Sequence, residues 1–280
     1  MAALTFSCNQ SQQKNETTGA QTASGDLNRT VLPIKEPYYP AQTELDARKA
    51  TPPPRFEVKA PKGAPNVLII LIDDQGFGVS DAFGGPVHEP VLDALARTGL
   101  KYNNFNTTAL CSPTRTALLT GYNHHSNNMG TVTETATAFP GNTGIRPDNI
   151  TPMADVLRMN GYSTAAFGKY HETPAWEVSV SGPYDRWPTH SGFDHFYGFI
   201  GGEANQWYPT LFEGTIPVEI KKTPQQGYHL VDDMTSKATK WIEVQTTFVG
   251  DDFKDFPAFA QKLKLKADAV SAFLSSEMSS

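Results

Sequence analysis

At 280 residues, with 39% hydrophobic and 19% charged content and a net charge of −6, the chain is long enough to bury a sizeable core. Its acidic balance and lack of a basic stripe exclude the electrostatic footprint of a nucleic-acid binder. The longest aliphatic run, Val67–Ile72, is too short for a membrane span, and two cysteines, Cys8 and Cys111, make neither a disulfide framework nor a zinc ligand set.

Residues 1–60 are rich in Gln, Thr, Ser and Pro and read as a leader or linker, with "TPPPR" at 51–55 a stiff, extended spacer. A short apolar stretch before Cys8, followed by a polar tether, has the order of a bacterial lipoprotein signal. The chain is therefore expected in the periplasm or lipid-anchored if a fuller signal precedes Met1, and in the cytoplasm otherwise. Residues 61–247 read as the ordered domain and 248–280 as an atypical C-terminal helix or tail.

Order begins at "NVLIILIDDQGFG". The apolar run on both faces predicts a central buried strand of a parallel sheet, ending at Asp73 and Asp74. "HEPVLDALARTG" has Pro90 in its first turn and Gly99 as a stop, so a helix is expected there, with a second strand in "LKYNNFNT". "CSPTRTALLTG" opens another helix with Cys111 at its cap. "TPMADVLRMNG" is a third helix, and "YSTAAFG" a short strand ending at Lys169, Tyr170 and His171. Residues 172–228, rich in Gly, Pro, Trp and Tyr, read as long functional loop, its tryptophans and Tyr208 being candidate substrate contacts. "HLVDDMTSKATKWIEVQ" and "FAQKLKLKADAVSAFLSSEM" are amphipathic helix patterns. The alternation predicts an α/β fold: a mostly parallel central sheet with helices on both faces.

Ligands of such sheets bind beyond the carboxyl ends of the strands, and three features converge on that edge. Adjacent carboxylates at Asp73 and Asp74 repel unless a cation neutralises them, and a hard divalent ion is the simplest one. The alternative is a capping Asp beside a solvated one. Cys111 at a helix N-terminus, with Arg115 one turn on, makes an anion site with an acidified thiol; the alternative is a plain helix cap and a surface arginine. Lys169 and His171, two apart, share a face if the segment is extended, and offer a fixed positive charge and a proton donor.

"NVLIILIDDQGFG", "CSPTRTALLTG" and "GKYH", in this order and spacing, resemble the sulfatases of the alkaline-phosphatase superfamily, and "GFDHFYGFIGGEANQWYP" resembles a loop of bacterial arylsulfatases. The resemblance covers roughly residues 64 to 245. It implies an alkaline-phosphatase-like α/β fold, and a formylglycine-generating enzyme that reads C-x-P-x-R and oxidises Cys111 to Cα-formylglycine. It further implies Ca²⁺ (or Mg²⁺) held by Asp73, Asp74 and the modified Cys111, and a small-molecule sulfate ester as substrate. Arg115 would steady the formylglycine, Lys169 would neutralise sulfate charge, and His171 would orient the hydroxyl of the aldehyde hydrate.

Two departures stand out. Tyr170 replaces the usual tryptophan, and the residues after 245 lack the family's downstream histidine, second metal-ligand pair and further lysine. The expectation is a truncated, N-terminal part of a sulfatase catalytic domain with weak or no activity as this chain. Two alternatives stand beside it: a phosphonate or phosphate ester hydrolase of the same superfamily, and a non-catalytic remnant.

Overall fold

The computed structural model describes residues 27–52 and 56–249. Cys8, part of the proline spacer and the helix expected in 259–278 lie outside the described residues. Residues 27–52 form no helix or strand, yet they touch the domain: Arg29 donates from Nη1 to the Asn160 carbonyl at 2.9 Å and from Nη2 to the Lys59 carbonyl at 2.6 Å.

Among the described residues four α-helices follow in chain order: α1 (Pro90–Thr98), α2 (Cys111–Thr120), α3 (Met153–Met159) and α4 (Leu230–Val249). The expected starts hold to within two residues. Leu110 rather than Cys111 is the N-cap of α2, which puts Cys111 in its first turn, and Pro152 caps α3. Gly121, at φ 73°, stops α2 in the left-handed conformation a glycine adopts without strain.

The sheet has four strands in the order β1 (Ala165–Lys169), β2 (His195–Phe199), β3 (Leu211–Glu213) and β4 (Ile216–Val218). β1 and β2 are parallel, Ala165 opposite His195 and Lys169 opposite Phe199, while β2–β3 and β3–β4 are antiparallel. The sheet is therefore mixed, and three of its strands come from the stretch expected to be loop. The reason is legible in "HFYGF": its side chains alternate between the two faces of the sheet and bury both. Phe196 joins Tyr170, Trp187, Ile200 and Phe212 on one face, with Leu119 of α2 packed against them. Tyr197 joins Leu211 and Leu230 on the other, under α4. At the centre of the parallel pair, Gly168 faces Gly198; a Cβ on Gly198 would lie 2.0 Å from the Gly168 carbonyl oxygen, so no larger residue fits.

The strand expected at Val67–Ile72 is not formed. Among the described residues no backbone hydrogen bond joins this segment to a neighbour, and Val67, Leu68, Ile69, Ile70 and Ile72 are each 41–47% exposed. The same holds for "LKYNNFNT", which contains no strand. Composition encodes the tendency to be buried on both faces, but a strand exists only when a partner takes its N–H and C=O groups. Trp187, counted among candidate substrate contacts, is fully buried and donates its indole N–H to the Glu177 carbonyl at 2.8 Å; it is core. Trp176 and Tyr208 are exposed. No described helix is long and apolar enough to cross a membrane.

Candidate active site

Three chain segments meet at the carboxyl end of β1. Lys169 ends that strand, Cys111 begins α2, and Asp73 and Asp74 follow the unpaired 67–72 segment. Lys169 Nζ lies 2.8 Å from Asp73 Oδ2 and 3.1 Å from Cys111 Sγ. Arg115, buried along α2, donates from Nη2 to Asp73 Oδ1 at 3.0 Å and from Nη1 to the Lys169 carbonyl at 2.7 Å. Both oxygens of Asp73 thus face a cation. Burial pushes the Asp73 carboxyl up, but the hydrogen bonds from Lys169 and Arg115 outweigh it and hold the group below its usual range.

Asp74 adopts a left-handed backbone at φ 52°, which turns the chain sharply between the two acids. One donor atom each from Asp73, Asp74 and Cys111 lie within 4.8 Å of one another. Two carboxylates suit a hard cation such as Ca²⁺, and a thiol sulfur does not; an oxygen at position 111 would complete a uniform oxygen set. The donor chemistry therefore fits the ion that the resemblance implies, once Cys111 carries oxygen. Lys169 and Arg115 supply positive charge to Asp73, one member of this pair of acids.

His171 departs from the expected arrangement. Its backbone has φ 53°, outside the extended conformation that a shared face with Lys169 requires, and β1 ends before it. The ring is buried, and Nε2 lies 2.8 Å from Glu134 Oε2. Burial pulls the imidazole below its usual range against the pull of Glu134, so His171 is neutral at pH 7. Glu134 escaped the sequence reading because it sits alone in "TVTETATAF", 37 residues from its partner; only the fold joins the two.

Glu172 also escaped it. This side chain is buried beside Thr116 of α2. Burial pushes its carboxyl up to about 8, although Thr116, Arg146 and Arg115 pull the other way, so it is protonated at neutral pH. The same burial raises the neighbouring Tyr170 phenol to about 12. His124 and His125 pack against each other with ring centroids 4.2 Å apart, and His124 Nδ1 lies 3.1 Å from the Met129 carbonyl oxygen, within their own loop.

The family model of the sulfatases matches residues 65–253, which is more than half of the chain and includes every residue of this site. The chain belongs to the sulfatase family. It is 32% identical over 161 residues to an uncharacterized sulfatase of Schizosaccharomyces pombe, a match covering 54% of this chain and 27% of that protein. Against the arylsulfatase of Klebsiella aerogenes it is 30% identical over 154 residues, covering 54% and 32%. Against human arylsulfatase D it is 34% identical over 139 residues, covering 48% and 23%. The sulfatase chain described here thus spans about a quarter to a third of the length of the curated relatives it matches.

Proposed function

We propose that residues 61–247 are the N-terminal part of a catalytic domain that hydrolyses a small-molecule sulfate ester. In this reading Cys111 is carried as Cα-formylglycine, made by a formylglycine-generating enzyme, and Asp73, Asp74 and the oxygen at position 111 hold Ca²⁺ or Mg²⁺. The observation that carries it is the convergence of Lys169 on both Asp73 and Cys111 at the N-terminus of α2.

Each residue then has a physical task. The first turn of α2 points unpaired N–H groups and a positive dipole end toward the anion, and Pro113 sits where its missing N–H costs nothing. Lys169 places a fixed positive charge next to residue 111 and against the sulfate oxygens. Arg115 clamps Asp73 and the end of β1, so that metal ligand and lysine keep their spacing. His171, neutral and anchored, offers a ring nitrogen to a hydroxyl at the reacting centre. When present, the hydrated aldehyde supplies an oxygen nucleophile toward sulfur, and the divalent ion supplies Lewis-acid stabilisation of the oxyanions.

The test is to co-express the chain with a formylglycine-generating enzyme, weigh the Cys111 peptide by mass spectrometry, and assay an aryl sulfate with and without Ca²⁺. Conversion with Ca²⁺-dependent turnover above a Cys111→Ala control supports the proposal. Conversion without turnover overturns it for this chain and favours a non-catalytic remnant. Faster turnover of an aryl phosphonate or phosphodiester than of the sulfate reassigns the substrate class.

A further inference from the structure

The one contact at this site that the residue roles above leave without a purpose is between His171 and Glu134. Glu134 lies in a short 3-10 turn, Thr133–Thr135, and it is half-exposed while its partner is buried. The loop that carries it is braced. Asn128 Oδ1 accepts from the Gly141 N–H at 3.1 Å, Asn128 Nδ2 donates to the Ile145 carbonyl at 3.0 Å, and the Asn128 carbonyl accepts from the Gly144 N–H at 2.8 Å. On another side of the imidazole lies the Gly202 backbone: a Cβ there would stand 2.8 Å from His171 Cε1 and 3.0 Å from Nε2. The ring is therefore held by a carboxylate from one loop and a side-chain-free backbone from another.

A carboxylate accepts and does not donate, so the nitrogen facing Glu134 must carry the proton. Nδ1 is then a bare acceptor, and this atom is buried with no partner among the described residues. We propose that Glu134 is a positioning residue that fixes His171 in its Nε2–H tautomer, leaving Nδ1 as the acceptor for a hydroxyl donor at the reacting centre. The catalytic use of that acceptor rests on the sulfate-ester reading; the tautomer does not. The charged groups acting on the imidazole are Glu134, which favours its charged form, and Lys169 and Arg115, which oppose it. Neutral His171 is the outcome, and a neutral ring has a tautomer to choose.

The test uses the full chain with ¹⁵N-labelled histidine, His171 being assigned by its loss in His171→Asn. Long-range ¹H–¹⁵N correlation reads the tautomer directly, without turnover. The expected result is an Nε2–H ring in the wild type and in Glu134→Gln, whose amide oxygen still accepts, but a mixed or inverted tautomer in Glu134→Ala. Glu134→Gln also lowers the His171 titration midpoint, because a neutral amide no longer favours the imidazolium. Should Glu134→Ala fail to fold, that midpoint decides the matter: an unchanged value overturns the proposal, as does a wild-type tautomer in a folded Glu134→Ala. In a chain that turns over aryl sulfate, Glu134→Ala lowers kcat on the order of tenfold with little change in KM. A tautomer change without turnover in any variant leaves Glu134 as positioning residue and rejects the sulfate-ester reading. Turnover with an unmoved tautomer does the reverse.

Discussion

Arg115 Nη1 donates to the Lys169 carbonyl at 2.7 Å, joining residues 54 apart in sequence. The other arm of the same guanidinium reaches Asp73, so one buried side chain pins α2, the end of β1 and the segment after Ile72 to a common point. The five-residue stretch Cys111–Arg115 thus fastens three chain segments through its arginine, and removing the fork unfastens them.

Replacing Arg115 by lysine keeps the charge and loses the two-armed geometry. Urea denaturation of Arg115→Lys should show a loss of about 1–3 kcal/mol. Arg115→Ala should cost more than Arg115→Lys, as it removes both the contact to the Lys169 carbonyl and the charge facing half-exposed Asp73. Equal losses in the two variants would mean that the charge does nothing and only packing matters.

Glu172 makes stability fall as pH rises. Its folded pKa, about 8, lies above the ordinary glutamate value of 4.5, so the folded state holds a proton that the unfolded state releases. The contribution is intact below pH 4.5 and is lost as pH climbs to about 8, with a slope of up to about 1.4 kcal/mol per pH unit. Glu172→Gln, neutral at every pH, should remove this slope. Thermal melts from pH 4.5 to 8.5 would show the variant's advantage widening with pH; parallel curves would place the Glu172 carboxylate in contact with solvent.

Asp73 acts in the opposite sense. Its folded pKa lies below the ordinary 3.8, so its stabilisation is present above that value and is lost as pH falls through the folded pKa. In a chelating buffer, Asp73→Asn should be less stable than wild type at pH 6, and the gap should close in the acid range below about pH 4. A gap that persists in strong acid would trace to packing rather than to the Lys169 and Arg115 pairs.

Most helices were legible because their signals are local. Pro90 and Gly99 bracket α1, Gly121 stops α2, and the apolar face of "HLVDDMTSKATKWIE" marks α4. Asp73, Asp74, Cys111, Arg115 and Lys169 were found as residue types at strand and helix ends, and the structure does bring them together. What the sequence concealed is of three kinds. Long-range partners such as Glu134 and Arg146 carry no local mark. The left-handed turn at His171 breaks the two-residue period that an extended segment would have kept. And "HFYGF", whose flanks are rich in glycine and aromatics, looks like loop although its short aromatic run fits a strand buried on both faces.

The 67–72 segment should make the chain self-associate. Its apolar side chains are half-exposed and its backbone groups are unpaired among the described residues, which is the template that edge strands present to other chains. Sedimentation velocity should show oligomers whose population drops in the double variant Leu68→Lys, Ile70→Lys. Stability of the folded unit should change by less than about 0.5 kcal/mol, as expected for exposed sites. A strictly monomeric wild type would refute this.

The burial of α2 has a consequence in time. Ser112, Pro113, Arg115 and Thr116 are all buried once the helix has docked, and Arg115 is engaged at both ends of its fork. An enzyme that recognises cysteine, proline and arginine together needs those side chains in its own groove. It therefore meets them only on a chain that has not yet closed over them. If Cys111 is modified as proposed above, that modification competes in time with the docking of α2, and slowing the folding of this segment would raise the converted fraction.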